Sequence, residues 1–567
     1  MAATEPAQNT LAVPVPKTRS DGTSQLEIRA RRVESWLQSV GQARPSKAAE
    51  QIHQTLFTQN RINLEPENRL QIVETFRGPV MEIVAALQQG LQTAPHPLSD
   101  RNFRHVVLAD ALLEEMANGY KLVAVKIGSA KRTKSRQADL IVSIQRAVSL
   151  LSRGFFNAYI GYTTVPRGRW HEIHELYRFA EAEGLRKRPV PGGSAQQPAP
   201  TINDSYLEAL LIAACNPYGL LQGDCTRLQR LLGDCFSYAE LGDGHDVGDD
   251  TVGRFIVDLG SDVPPTSMHK KDVPDEEDLG RIRVLNALSL LREVHQRTMA
   301  TMIANGNDVA DTELDLDLLR RVSNVWSGKM THRQFKRTED ASDVIVCAGI
   351  RSVHYHASRK KRFAEVVDIG TPGRRQSASA NSETAPYSIA QVANRRSVMD
   401  EEMGPTLQVC RTVNESAAGL CLRLESESKL EIRTGEVLGV KYPLGEHWQI
   451  GVVRWCSETN RVMYLGVQFL APEVRSVLVK ESGNSKSEST SFSPALFLPA
   501  KESLRRPESI ILPRARFSEG QTLSLVTENH SVHRITPLHL LGRSGSYDQR
   551  LFALHGKRAV APDESSE

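Results

Sequence analysis

The spacing of apolar residues changes near residue 340, and this change constrains the fold more than any other feature of the sequence. From about 25 to 325, apolar residues recur three and four positions apart, as in Leu140, Ile144, Ala147, Val148 and Leu151. This spacing places them on one face of an α-helix. After about 340, apolar and polar residues alternate in short runs, which is typical of β-strands. The sequence therefore predicts a helical module followed by a β-domain.

Six alternating runs follow one another after residue 340, separated by turn sequences such as RTGE and SETNR. They predict a small barrel, because closure pairs the edges that short strands would otherwise expose. The expected fold class is multidomain α + β: an N-terminal all-α helical module, a six-stranded β-barrel and a small β-rich C-terminal extension. The runs are DVIVCAGIRSVHYHA, TLQVCRTV, GLCLRL, EVLGVKYPL, WQIGVVRWC and VMYLGVQFL.

The length of 567 residues predicts several domains, because one hydrophobic core rarely serves so long a chain. Segments rich in Pro, Gly or Asp near 185–203 and 241–278 predict linkers or surface loops within the helical module. The polar stretch at 358–404 predicts a long insertion in the barrel. The predicted domains are a disordered leader at 1–24, the helical module at 25–325, the barrel at 326–478, a linker at 479–492 and the extension with a disordered tail at 493–567.

Features of the termini and the composition favour a cytoplasmic protein. The first 24 residues lack the basic and long apolar regions of a signal peptide. No apolar stretch reaches the roughly 18 residues that a membrane-spanning helix needs, so we expect no membrane insertion. The seven cysteines form no CxxC pair and are expected to be reduced. With 70 basic and 67 acidic residues, the chain also lacks the overall charge of a nucleic-acid-binding protein.

Two segments have a superficial likeness to metal sites. His171 and His174 in HEIHE do not have the spacing of the HExxH zinc motif. The acidic segment 242–250 lacks the ligand spacing of an EF-hand. The sequence also contains no phosphate-binding loop or nucleophile motif. We therefore expect no metal, no catalytic residues and no enzymatic activity.

Two hexapeptides about eighty residues apart stand out: HRQFKR at 332–337 and NESAAG at 414–419. The first places Arg333 and Arg337 four positions apart, just before the first strand. The second places Asn414, Ser416 and Gly419 at fixed spacing after the second strand. With the strands around them, they resemble the RxxxR and (D/N)xSxxG motifs of the PilZ domain family. That family is a bacterial receptor module for cyclic di-GMP.

The resemblance implies that Arg333, Arg337, Asn414, Ser416 and Gly419 bind cyclic di-GMP, with no other cofactor. A guanidinium can bind a phosphate or a guanine edge through two hydrogen bonds. Asn414 offers an amide, Ser416 a hydroxyl, and Gly419 room for the ligand to approach the backbone. Asn replaces the commoner Asp of the motif. Further arginines in the insertion could assist or replace the motif pair; they are Arg359, Arg362, Arg374, Arg375, Arg395 and Arg396.

The resemblance also implies an effector that couples cyclic di-GMP to motility or surface attachment, through flagella, type IV pili or exopolysaccharide. We expect a protein partner to bind the helical half. One alternative is a ligand-independent adaptor whose barrel only binds proteins. A second alternative is a nucleic-acid-binding or chaperone-like protein that uses the helical half.

Overall fold

In the computed structural model, the chain forms two compact units. One comprises Met1–Ala94 and Leu98–Gln334, and the other comprises Pro95–Pro97 and Phe335–Glu567. The structure describes residues 10–19, 30–40, 43–129, 133–191, 199–244, 251–269, 278–305, 309–327, 336–358, 405–425, 427–482, 492–501, 506–514, 516–529 and 531–555.

Ten α-helices of the first unit lie within the described ranges. Their starts follow the sequence: Pro45 and Pro66 occupy first-turn positions of two helices, and the hydroxyls of Ser99 and Thr133 accept hydrogen bonds at the starts of the two longest. The helices are α1 (Ala30–Val40), α2 (Pro45–Gln59), α3 (Pro66–Gln88), α4 (Asp100–Gly128), α5 (Lys134–Ile160), α6 (Arg169–Ala182), α7 (Ile202–Ala214), α8 (Asp224–Leu232), α9 (Leu288–Asn305) and α10 (Val309–Trp326).

Helices α4 and α5 form the centre of this unit, since apolar residues on several sides of each are buried. Phe155 of α5 stacks on Trp170 of α6, with ring centroids 4.2 Å apart. Tyr177 of α6 stacks on Tyr206 of α7 at 4.1 Å. Large buried side chains of this kind supply most of the free energy that holds helices together. The helical expectation for this region is confirmed.

The first unit also contains a small antiparallel sheet that the sequence analysis did not predict. Its strands are β1 (Glu240–Asp243), β2 (Arg254–Asp258), β3 (Thr266–Ser267) and β4 (Ile282–Asn286), in the order β1-β4-β2-β3. We interpreted the segment 241–278 as a linker or surface loop, but part of it forms strands. These strands contain at most five residues, too few for alternation to stand out from the surrounding Gly, Asp and Pro.

The second unit contains two antiparallel barrels. In the first, six strands close through the pairing of β7 with β8, and the short β5 pairs with the far end of β7. Its elements are β5 (Thr338–Glu339), β6 (Asp343–Ala348), helix α11 (Ile350–Ala357), β7 (Gln408–Ser416), β8 (Gly419–Glu425), β9 (Val437–Lys441), β10 (Gln449–Thr459) and β11 (Val462–Ala471).

The second barrel is closed in the order β12-β13-β14-β17-β16-β15. The region interpreted only as a β-rich extension therefore contributes five strands of a complete barrel, and the sixth strand precedes it. The strands are β12 (Arg475–Glu481), β13 (Ser493–Leu498), β14 (Ser509–Pro513), β15 (Leu523–Thr527), β16 (Val532–Arg543) and β17 (Tyr547–Leu554).

One strand interpretation was wrong. The run DVIVCAGIRSVHYHA forms β6 only as far as Ala348, and its second half forms helix α11. Gly349 separates them with φ of +85°, a left-handed conformation that ends the strand and that glycine adopts without strain. The buried Ile350 and Val353 then join residues of both barrels in one apolar cluster, together with Leu496, Ile511 and Tyr547.

Candidate ligand-binding site

The hexapeptide NESAAG forms the turn between β7 and β8. Ser416 ends β7 and pairs with Gly419, which begins β8. The Ser416 hydroxyl donates a hydrogen bond to the Gly419 carbonyl over 3.1 Å and fixes the turn. Because side chains alternate along a strand, Asn414 and Ser416 share one face of β7. The two polar side chains of the motif therefore lie side by side at the rim of the first barrel.

Strand β5 brings the arginine segment to this rim. Thr338 pairs with Glu415, and Glu339 pairs with Asn414. Arg337 immediately precedes β5 and is exposed. Burial raises the pKa of the Cys421 thiol, while the positive charge of Arg337 opposes that rise. Cys421 pairs with Asn414 across β7 and β8, and Asn414 also pairs with Glu339, two residues after Arg337. Arg333 lies outside the described residues, as do the arginines of the insertion.

A carboxylate fastens β5 to β7. Asp340 accepts a hydrogen bond from the Ser342 hydroxyl over 2.6 Å and another from the Thr412 hydroxyl over 3.1 Å. These hydrogen bonds, the Ser342 bond first, lower the pKa of Asp340. The Asp340 amide also donates to the carbonyl of Val413. The register between the arginine segment and the motif strand is therefore fixed only two residues from Asn414.

Asn414 and its neighbour Glu415 have different surroundings. The Glu415 carboxylate accepts a hydrogen bond from the Tyr442 hydroxyl over 2.5 Å. Burial and this carboxylate raise the pKa of Tyr442. The Oδ1 atom of Asn414, by contrast, is buried and accepts no hydrogen bond from any described residue. A buried acceptor without a donor costs free energy, so a ligand donor at Asn414 would be favourable.

Gly419 has a packing role of its own. A Cβ atom there would lie 2.1 Å from the carbonyl oxygen of Val467 on β11. We expected the missing side chain to leave room for a ligand, and that role remains a prediction. The structure shows that the glycine is already required by the close approach of β11 to β8.

Sequence reasoning missed an aromatic side chain on the same outer surface. Trp455 of β10 is partly exposed and lies over Gly466 of β11, where a Cβ atom would be 1.9 Å from the indole nitrogen. Gly466 pairs with Cys421, the neighbour of Asn414. Asp340, Thr412 and Tyr442 were also missed. These three residues contact the site only through pairing across strands, and no local sequence pattern indicates that pairing.

The surroundings of His174 in HEIHE are those of a structural residue. His174 is buried, its Nδ1 atom lies 2.6 Å from the Tyr206 hydroxyl, and its Nε2 atom lies 3.1 Å from the Val263 carbonyl. Burial lowers the pKa of His174 to about 4. Among the described residues, no three His, Cys, Asp or Glu side chains are grouped to hold a metal. Part of the acidic segment 242–250 lies outside the described residues.

Three family models match successive parts of the chain. They are the N-terminal domain of the cyclic-di-GMP receptor FimW over residues 31–246, its middle PilZ domain over 254–408 and 375–475, and its C-terminal β-barrel domain over 477–555. The chain belongs to this family. The PilZ resemblance is thereby confirmed, although the match begins at residue 254, well before the barrel. The family is a receptor family, so its members bind a ligand and are not enzymes.

A curated relative shows the same relationship over most of the chain. The Cyclic-di-GMP receptor FimW of Pseudomonas aeruginosa is 25% identical over 553 residues, which cover 91% of this chain and 89% of the relative. The ligand of this receptor family is cyclic di-GMP. Among the described helices of this chain, none combines the length and apolar character needed to span a membrane.

Proposed function

We propose that the chain is a cytoplasmic cyclic di-GMP effector whose nucleotide site is the rim formed by β5, β7 and β8. The supporting observation is the pairing of β5 with the end of β7. This pairing joins Glu339, two residues after the exposed Arg337, to Asn414, whose side-chain oxygen is buried and accepts no hydrogen bond from a described residue. Arg333, Arg337, Asn414, Ser416 and Gly419 are the proposed ligand-binding residues.

The ligand chemistry suits these groups. Cyclic di-GMP has two phosphodiester anions and two guanines, and a guanidinium binds either kind of group through two hydrogen bonds. Guanine N–H groups could donate hydrogen bonds to Asn414 Oδ1. The partly exposed indole of Trp455 offers a surface on which a base can stack. The ligand would therefore meet charge, hydrogen-bonding groups and an aromatic ring on one outer surface of the barrel.

Calorimetric titration of the full chain with cyclic di-GMP tests this site. We expect a Kd in the micromolar range or lower, which corresponds to about 8 kcal/mol or more. The Arg337→Ala variant should bind at least tenfold more weakly, and Arg351→Ala, an exposed arginine on α11, is the matched control. Equal affinities of wild type and Arg337→Ala would show that the nucleotide binds elsewhere.

We further propose that the nucleotide controls a protein partner in motility or surface attachment, and that the helical half binds this partner. A ligand can shift such binding only by its different affinity for the two states. The adaptor alternative has an observation of its own, because Leu407, just before β7, and Val409 and Val413 of β7 are exposed apolar side chains. Partner capture with and without cyclic di-GMP distinguishes the two. Capture that ignores the nucleotide and is lost in Val409→Ser would favour the adaptor.

A further inference from the structure

Arg411 of β7 and Asp343 of β6 lie on the outer surface of the first barrel. They are direct partners in the register between the two strands, and both are exposed. Residues directly opposite each other on antiparallel strands point to the same face, so the guanidinium and the carboxylate stand side by side. Within the described ranges, neither side chain forms an ion pair. Both are therefore available to a ligand.

Strand pairing places this pair on the same face as Asn414. Across the β7–β8 edge, Arg411 pairs with Arg423 and Asn414 pairs with Cys421. Cys421 and Arg423 are two positions apart on β8, so their side chains share a face. A register shift between Thr412 and Asn414 brings Asn414 onto the face of Arg411, although three positions separate them. The two rows of side chains are about 7 Å apart, at roughly 3.3 Å per residue.

Two arginines therefore approach β7 on opposite sides of Asn414. Arg337 precedes Thr338, which pairs with Glu415, so its backbone lies beyond Asn414 along β7. Arg411 lies before Asn414 on the same strand. Cyclic di-GMP consists of two identical halves, each with one guanine and one phosphate. Cations on both sides of one amide suit such a ligand, because each half can meet its own arginine.

Arg423, the other neighbour of Arg411, is not available in the same way. Its guanidinium lies 2.8 Å from the carboxylate of Glu425 on the same strand. Arg411 and Arg423 thus share a row and a face, but only Arg423 has a carboxylate partner among the described residues. This difference makes Arg423 a matched control for Arg411.

The carboxylate of Asp343 determines which part of the nucleotide suits this pair. A phosphate beside Asp343 would meet a like charge, which is unfavourable. A guanine is neutral, and its adjacent edges offer both kinds of group. O6 and N7 accept two hydrogen bonds from an arginine, while N1–H and the N2 amino group can donate to a carboxylate. The side-by-side arginine and aspartate therefore complement guanine better than phosphate.

We propose that Arg411 and Asp343 bind one guanine of cyclic di-GMP and make the site specific for that base. The proposal rests on the nucleotide site proposed above and adds a base-binding pair that the two sequence motifs do not contain. Arg411 donates to O6 and N7, and Asp343 accepts from N1–H and the N2 amino group. Adenine has an amino group where guanine has O6, so the pair disfavours cyclic di-AMP.

Calorimetric titration of the full chain with three nucleotides tests the pair. They are cyclic di-GMP, cyclic di-AMP and cyclic di-IMP, in which hypoxanthine lacks only the N2 amino group of guanine. Arg411→Ala should weaken cyclic di-GMP and cyclic di-IMP alike, by about fivefold or more, because both carry O6 and N7. Asp343→Ala should reduce the preference for cyclic di-GMP over cyclic di-IMP by about threefold or more, because the amino group loses its acceptor.

Arg423→Ala removes the same charge one strand away and should keep its affinity for cyclic di-GMP within about twofold of wild type. All three substitutions replace exposed side chains, so the thermal midpoints should match the wild type. An equal loss in Arg423→Ala would show attraction by charge alone and overturn the proposal. An equal loss of cyclic di-AMP and cyclic di-GMP in Arg411→Ala would show a phosphate contact and overturn it too.

Failure of this pair can be distinguished from failure of the nucleotide site as a whole. Cyclic di-GMP might bind the wild type and be weakened by Arg337→Ala, yet bind Arg411→Ala and Asp343→Ala normally. That result would overturn the guanine pair and leave the site. No binding of cyclic di-GMP to the wild type would overturn both.

Discussion

The two barrels of the second unit have the same number of strands, but Arg543 and Arg550 of the second barrel have different surroundings from Arg337 at the rim of the first. In the second barrel, Arg543 donates to the buried Asp548 over 2.7 Å, and the buried Arg550 lies 3.5 Å from Glu519. At the rim of the first barrel, Arg337 is exposed and forms no ion pair within the described ranges. An arginine that is paired with carboxylates stabilises the fold and is not available to bind a ligand. Because both barrels have the same number of strands, the exposed Arg337 supports the proposed nucleotide site at the rim of the first barrel.

The largest effect is expected for a substitution in the second barrel. Arg550→Ala removes a buried cation and leaves Asp548 buried beside Arg543 alone, which should cost about 3 kcal/mol of the free energy of unfolding. Urea unfolding of the full chain measures it. At temperatures where the variant is folded, its affinity for cyclic di-GMP should remain within about twofold of wild type. A variant that unfolds normally but binds the nucleotide poorly would contradict the division of roles.

The reverse pattern is expected for Arg337→Ala. The loss of charge-assisted hydrogen bonds should reduce nucleotide binding by about 2 kcal/mol, or roughly thirtyfold, with little change in unfolding. Arg337→Lys should recover only part of the affinity, because an ammonium cannot bind through two parallel hydrogen bonds. Calorimetry and urea unfolding on the same samples compare the two quantities. Full recovery by lysine would show that charge alone matters at this position.

A smaller effect, on both quantities, is expected for Gly419→Ala. The new Cβ atom would meet the Val467 carbonyl oxygen at 2.1 Å, so β8 and β11 must separate. We expect a loss of about 1–2 kcal/mol in stability, typical of overpacking, and a smaller loss of nucleotide affinity. Ala417→Gly in the same turn is the control for backbone effects. Unchanged stability with lost binding would instead make Gly419 a ligand contact only.

The smallest expected effect concerns the register of β5. Thr412→Val keeps the shape of the side chain but removes its hydrogen bond to Asp340, and Thr412→Ser keeps the hydroxyl. Because Asp340 then fixes β5 less firmly, cyclic di-GMP should bind about threefold more weakly to the Val variant and normally to the Ser variant. Calorimetry resolves this difference. Equal binding by both variants would mean that Asp340 does not position the arginine segment.

Much of this fold could be predicted from sequence patterns that repeat within one element. The apolar spacing of α5 and the alternation in β10 and β11 predicted a helix and strands that the structure contains. The pairing of Thr338 with Glu415 could not be predicted, because β5 has only two residues and its register depends on hydrogen bonds about seventy residues away. The closure of the second barrel through β12 and β15 depends on similarly distant partners.

The motif residues were predicted on the resemblance alone, and their ligand contacts remain a prediction. What the sequence could not indicate is which polar groups the fold leaves unbonded. Asn414 and Ser416 look equivalent in NESAAG, yet the Ser416 hydroxyl is bonded within the turn and Asn414 Oδ1 is not. That difference arises from strand pairing.

The apolar cluster shared by the two barrels means that ligand binding to one barrel should also stabilise the other. Val437, Ile450 and Val452 of the first barrel are buried in the same cluster as Leu496, Ile511 and Tyr547 of the second. Neither barrel can open without exposing apolar surface of the other, so the pair should unfold as one cooperative body. A ligand that binds only the folded form stabilises that whole body. The slowly exchanging amide hydrogens of the second barrel would then exchange still more slowly when nucleotide binds at the rim of the first barrel. Their own contacts would not change.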